Sequence, residues 1–268
     1  MAEYLFYRLN PVLISLALMV LMGLAAEAGY RAAKRPRPGA ETSDNSNVTL
    51  ILGAVLTLLS LMLGFTYSMS QGRYEARRQL IIREANAIGT AYLRAETLPE
   101  PWNSEIQDLL ARYATLRVEM GGMKELTPGR VGEIDARSKE LHDAMWSKAV
   151  PLARESPGPI VSLFLQSLNE TIDLHADRLA AFRSHVPISI YLVLISISVV
   201  AMGLLGYYSG TRRRRTWILN LTFLILVAAV LWMILDLDNP VRGTIRSSKQ
   251  SLIDLQKDIG PPSGTAIR

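Results

Sequence analysis

Five charged side chains sit where apolar runs give way to polar sequence: Arg73, Glu75 and Arg77 follow one run, and Asp236 and Asp238 close another. Charges at such boundaries attract or repel mobile ions and pair with one another; they carry no covalent chemistry by themselves. The two aspartates fall at the carboxyl end of a helical run, where the peptide dipoles oppose negative charge, so something must offset them. With four apolar runs in the chain, the second and fourth end on the same side of a bilayer, which brings Arg73, Arg77 and Arg78 to the depth of the aspartates. Ion pairs among these groups are the expectation, either as structural clamps or as charged rings at the mouth of a pore.

Groups for other chemistry are sparse. The chain has no cysteine, which excludes disulfides, thiol catalysis and thiolate metal sites. Its histidines, His142, His175 and His185, have no metal-binding helical spacing, and there is no nucleophile elbow or phosphate-cradling glycine loop. Asp173, His175 and Asp177 cluster in sequence, but on a helix they spread to different faces and are expected to be solvated. No catalytic, cofactor-binding or metal-binding residue is therefore assigned, no cofactor is expected, and the chain is not expected to be an enzyme.

The elements that position the charges are apolar blocks. Of 268 residues 49% are hydrophobic, concentrated in runs long enough to cross a membrane, so the chain reads as an integral, multi-pass membrane protein. The net charge of +5 is concentrated beside those runs, at Arg31, Lys34, Arg35 and Arg37 and at Arg212 to Arg215. Basic clusters there set membrane orientation, and nucleic acid is not an expected partner. The first span is Pro11 to Ala26, with Arg8 and Asn10 before it; Ala26-Glu27-Ala28 resembles a signal-peptide cleavage site, but the run is expected to be retained. Gly39 to Asn47 reads as a flexible connector. The second span, Val48 to Met69, supplies about 22 residues for roughly 30 Å of hydrocarbon, with Gly53, Thr57, Ser60 and Gly64 on one face for helix packing or pore lining.

No turn signal separates Met69 from Arg73, so one helix is predicted to leave the bilayer and continue to about Leu93. There it shows a stripe of Tyr74, Arg78, Ile81, Ala85, Ile88 and Tyr92, until Leu98-Pro99-Glu100-Pro101 ends it. Three further amphipathic helices are predicted near 103–120, 130–153 and 160–185, with Pro151 as a kink or an end. Together they read as a helical bundle in which Arg178 of the last helix meets Glu84. Spans three and four, 187–208 and 217–237, form a second hairpin, and a tail follows with one amphipathic stretch, Ser248 to Ile259. The fold class is all-α. Its parts are a transmembrane hairpin (1–69), an extramembrane bundle (70–186), a second hairpin (187–237) and a C-terminal tail (238–268). Charge counts in the short loops place the bundle outside the cell, whereas Arg73, Arg77, Arg78 and Arg83 on the bundle side argue the reverse.

Leu63-Gly64-Phe65 followed by Arg73-Tyr74-Glu75-Ala76-Arg77 resembles the bestrophin signature, with one aromatic fewer in the second block. The wider pattern is similar to the bacterial bestrophin-like domain family of four-span proteins. It includes Glu84-Ala85-Asn86-Ala87-Ile88-Gly89-Thr90-Ala91-Tyr92-Leu93-Arg94, the Leu98-Pro99 turn and Asp236-Leu237-Asp238-Asn239-Pro240-Val241-Arg242-Gly243. Bestrophins are pentameric ion channels with a hydrophobic neck on the second helix. The resemblance implies a neck of Thr57, Leu61 and Phe65, a homo-oligomer in the bacterial inner membrane, small inorganic ions as its cargo and a cytoplasmic bundle. The expected function is an oligomeric channel, with Arg73, Glu75, Arg77, Asp236 and Asp238 at the pore mouth. The alternative is a membrane sensor or scaffold whose bundle relays a ligand or partner signal.

Overall fold

The computed structural model describes residues 11–35, 43–122, 128–212, 217–239 and 248–262. Eight α-helices are described in chain order: α1 (Pro11–Lys34), α2 (Ser43–Glu96), α3 (Trp102–Gly122), α4 (Pro128–Glu155), α5 (Pro159–Arg183), α6 (Ile188–Thr211), α7 (Trp217–Asp238) and α8 (Gln250–Ile259). Among the described residues there is no strand, and α1, α2, α6 and α7 each carry an apolar stretch long enough to cross a bilayer. The chain is an all-α, multi-pass membrane protein. Arg8, Asn10, Arg37, Arg213 to Arg215 and Pro240 to Gly243, which the sequence singled out, lie outside the described residues.

Two expectations about helix ends change. The connector read over 39–47 is already helical from Ser43, as suits Ser, Asp and Asn, which favour helix starts. Pro151 neither kinks α4 to a stop nor ends it, since the helix runs on to Glu155. An internal proline forfeits one backbone hydrogen bond. The neighbouring Ala149 and Leu152 are fully buried, and their packing holds the turn in place.

The chain divides into two compact units, residues 1–74 with 185–246 and residues 75–184 with 247–268. The first holds α1, α6, α7 and the opening part of α2. Its core gathers Leu18, Met22, Leu59, Leu194, Ala201, Met202, Leu224, Val227 and Leu231. In hydrocarbon, burial of apolar surface brings no helices together, so close van der Waals packing has to. Small residues permit it here: a Cβ on Gly206 would collide with the Ala26 carbonyl, one on Gly29 with the Gly203 carbonyl, and one on Gly210 would lie 2.8 Å from the Tyr30 carbonyl. Helices α1 and α6 therefore meet backbone to backbone. At the ends of these helices, Lys34 lies 4.6 Å over the Tyr30 ring and Arg212 lies 4.9 Å over that of Tyr208. Basic groups so placed favour the negative end of the helix dipole.

The second unit is a bundle of the remainder of α2 with α3, α4, α5 and α8. Its core includes Ile81, Ala85, Ile88, Ile106, Leu110, Tyr113, Met145, Leu152, Phe164 and Leu168. The stripe expected on α2 holds at Ile81, Ala85 and Ile88, which are buried, while Tyr74 and Tyr92 are half-buried. Arg78 departs from it: it is exposed and bridges to Glu75 at 3.2 Å. The amphipathic stretch in the tail is α8, and it packs into this unit through Leu252, which is 1% exposed. Gln256 donates to the Thr115 hydroxyl at 3.1 Å and Tyr92 donates to the Ile259 carbonyl at 3.3 Å. Gly260, at φ 75°, ends α8 in the left-handed region that glycine tolerates best.

Candidate functional site

Within the first unit, α2 touches its neighbours along a narrow seam of Leu52, Leu59, Thr66 and Ser70, all buried. At 100° per residue these positions share one side of the helix, and Thr57, Leu61 and Phe65 lie on the opposite side. Leu61 is 50% and Phe65 60% exposed. Flanking them, Gly53 and Gly64 meet nothing that a Cβ would touch within 4 Å, so these glycines serve no contact inside the protomer. The Thr57 hydroxyl donates to the Gly53 carbonyl and that of Ser60 to the Thr57 carbonyl, both at 2.9 Å. Each donor is thus satisfied on its own helix, leaving oxygen lone pairs on the open face.

Past this stretch Arg73 and Arg77, one turn apart, are both half-buried. Glu75 accepts from Gln79 at 2.7 Å and from Arg78 at 3.2 Å, and the first bond most of all holds its carboxyl below the usual range. At the end of α7, Asp236 and Asp238 are each 1% exposed, placed inside the protomer rather than on its surface. Asp238 accepts from the Val186 amide at 3.1 Å and from the Tyr191 hydroxyl at 3.2 Å. Val186 lies two residues before α6, with the capping Pro187 between them, so the carboxylate sits near the positive end of that helix dipole. His185 lies against the Asp238 carbonyl at 3.2 Å.

A buried polar cluster sits in the core of the second unit. Glu84 of α2 is fully buried and accepts from the Tyr113 hydroxyl at 2.7 Å. Arg117 approaches the same carboxyl oxygen at 3.0 Å, and Arg178 bonds to the other, as the sequence led us to expect. Burial pushes the Glu84 carboxyl up, but the attraction of Arg178 and then Arg117, with the Tyr113 bond, outweighs it and leaves the carboxyl below its ordinary range. Burial first, and the adjacent Glu84 charge second, push the Tyr113 hydroxyl well up.

Two histidines complete the cluster. The His142 ring of α4 lies 4.7 Å from that of Tyr113 and 5.1 Å from that of His175 on α5. Nε2 of His175 is 3.0 Å from Asp135, whereas Nε2 of His142 and Nδ1 of His175 are buried without a hydrogen-bond partner. Burial, followed by the charges of His175 and Arg117, pushes His142 down to about 4. The expected solvated face of Asp173, His175 and Asp177 is corrected at its centre, because His175 is 6% exposed. It shares the stripe of Leu168 and Thr171, which lie seven and four residues before it and bury with it, and this spacing was the overlooked signal. Nothing in the sequence joins Tyr113 and Arg117 to Asp135 and His142, because the two pairs lie on separate helices, α3 and α4. Among the described residues no three or more acidic or histidine groups are arranged to hold a metal.

The profile of the bestrophin-like domain family matches residues 18–252. The chain belongs to that family. Among solved structures, a point-variant form of a bacterial bestrophin homologue from Klebsiella pneumoniae superposes with a TM-score of 0.61 at 17% identity, covering 92% of this chain and 97% of that one. The homologue solved by zinc phasing gives 0.59 at 17%, covering 92% and 98%. A variant of a protein described as a membrane protein gives 0.62 at 17%, covering 94% and 98%. At such identity these structures share the bestrophin-like fold. No curated protein sequence matches.

Proposed function

We propose that this bestrophin-like chain is the subunit of an oligomeric ion channel in which copies of α2 surround a central passage. The observation that supports the reading is the open face of α2, where Thr57, Leu61 and Phe65 lie opposite the helix's own buried seam, flanked by Gly53, Ser60 and Gly64. Rings of Leu61 and Phe65 from several copies would form a constriction that gates by dewetting. Thr57 contributes hydroxyl oxygens to a wetter ring. Arg73, Glu75 and Arg77 stand at the mouth, while Asp236 and Asp238, being buried, fix helix ends. By family likeness the ring is a pentamer in the bacterial inner membrane.

The test is ion flux from liposomes containing the purified chain, under several anion and cation gradients, with oligomer mass measured in detergent. Flux is expected, and Leu61→Ala and Phe65→Ala are expected to raise it several-fold. A stable monomer, or no flux from either the unaltered or the widened protein, overturns the reading. A dimer without flux would instead favour the sensor or scaffold reading.

A further inference from the structure

We infer that His142 is the catch of an acid-released latch that holds α4 in the core of the bundle. The ring is enclosed by α3 and α5: Tyr113 lies 4.7 Å away on one side and His175 5.1 Å away on the other. The residue is 5% exposed, and its Nε2 is buried with no hydrogen-bond partner. A neutral imidazole fits there, but an imidazolium needs an anion.

Every anion in the cluster is already engaged. Glu84 of α2 is bonded by Arg178 of α5 and Tyr113 of α3 and ion-paired with Arg117 of α3. Asp135, on α4 itself, is bonded by His175 and by Lys139 at 3.0 Å. The guanidinium of Arg117, 5.9 Å from the Tyr113 ring centroid, places further positive charge beside the pair. Arg117 and a protonated His175 both repel a second positive charge. The same arginine opposes a bound cation, and two imidazoles provide too few ligands for a metal site.

The histidine can accept a proton at its ordinary affinity only after α4 has moved it out of this enclosure. Opening is therefore coupled to proton uptake. The ratio of open to closed α4 should rise about tenfold per pH unit between 6.5 and about 4, and about 300-fold in all, from the difference between the free and enclosed imidazole. Met145, Ala149 and Leu152, on the same stretch of α4, would leave the core with it, while the other helices stay folded.

The absence of cysteine makes a direct test possible. Ala149→Cys places a thiol at a fully buried position, and Ser147→Cys places one at an exposed position two residues away. In the full-length protein in detergent, 4,4′-dithiodipyridine labels both, and the ratio of their rates cancels the pH dependence of the thiol itself. The ratio is expected to rise about tenfold per unit as pH falls from 6.5 to 4.5, with helix content by circular dichroism unchanged. In backgrounds carrying His142→Gln or His142→Phe the slope is expected to fall to the part that His175, also held below its ordinary range by burial, contributes. A flat ratio in the protein that keeps His142, the same slope in both variants, or helix content falling along with the labelling overturns the latch. None of these outcomes depends on ion conduction.

Discussion

Glu84 and Arg117 face each other at 3.0 Å with side-chain exposures of 0% and 3%, and Arg178 closes on the other carboxyl oxygen. One carboxylate thus answers two guanidinium groups from different helices, pinning α2, α3 and α5 in one register. A buried pair is a weak source of net stability, because desolvation of the charges cancels much of their attraction. Removing one member, however, strands the others. Glu84→Gln is expected to destabilise the bundle by about 3–5 kcal/mol, by the usual cost of breaking such a pair. It should appear as a drop of the first unfolding transition in detergent, and a transition unchanged within error would contradict it.

Acid should weaken the bundle in two steps. His142 is held below its unfolded value, so the unfolded chain takes up its proton first, and stability is lost as pH falls from 6.5 towards about 4. A difference of this size corresponds to about 3 kcal/mol. Glu84 is held below the ordinary carboxylate range, so its contribution is present above that range and is lost as pH falls through it. Denaturation midpoints followed downward from about pH 7.5 should show both steps, and His142→Gln should shrink the first to the part that His175 contributes while leaving the second.

The seam between α1 and α6 should respond to single methyl groups. Gly206→Ala forces the Ala26 carbonyl aside and is expected to cost about 1–3 kcal/mol, as overpacking does. Gly64→Ala meets open space and should leave stability within about 0.5 kcal/mol. Comparing the thermal aggregation temperatures of the two variants separates a packing glycine from one on an open face.

Asp238→Ala leaves the Val186 amide and the Tyr191 hydroxyl without this acceptor, at about 1–3 kcal/mol for each buried group stranded. Asp238→Asn retains an acceptor oxygen and should lose less. Tyr191→Phe should cost about 1 kcal/mol, one ordinary hydrogen bond. The order Ala, Asn, Phe in falling severity can be read from melting in detergent. Any other order would mean that the carboxylate does not serve chiefly as an acceptor for the start of α6.

The sequence by itself determined the four apolar helices, the run of α2 out of the bilayer, and the common face of Thr57, Leu61 and Phe65. Hydropathy and helical spacing are local properties, readable wherever the chain ends up. It also suggested Glu84 with Arg178, since a carboxylate followed by the small residues Ala85 and Ala87 on a half-buried helix needs a cation. Tertiary structure decided the remainder. His142 and His175 lie on separate helices and become neighbours only once α4 and α5 pack on Tyr113. Asp238 reaches the amide of Val186 only when the end of α7 meets the start of α6. That α8 belongs to the bundle rather than to a loose tail was decided by Leu252, because a short amphipathic stretch shows that it needs a surface without showing which one.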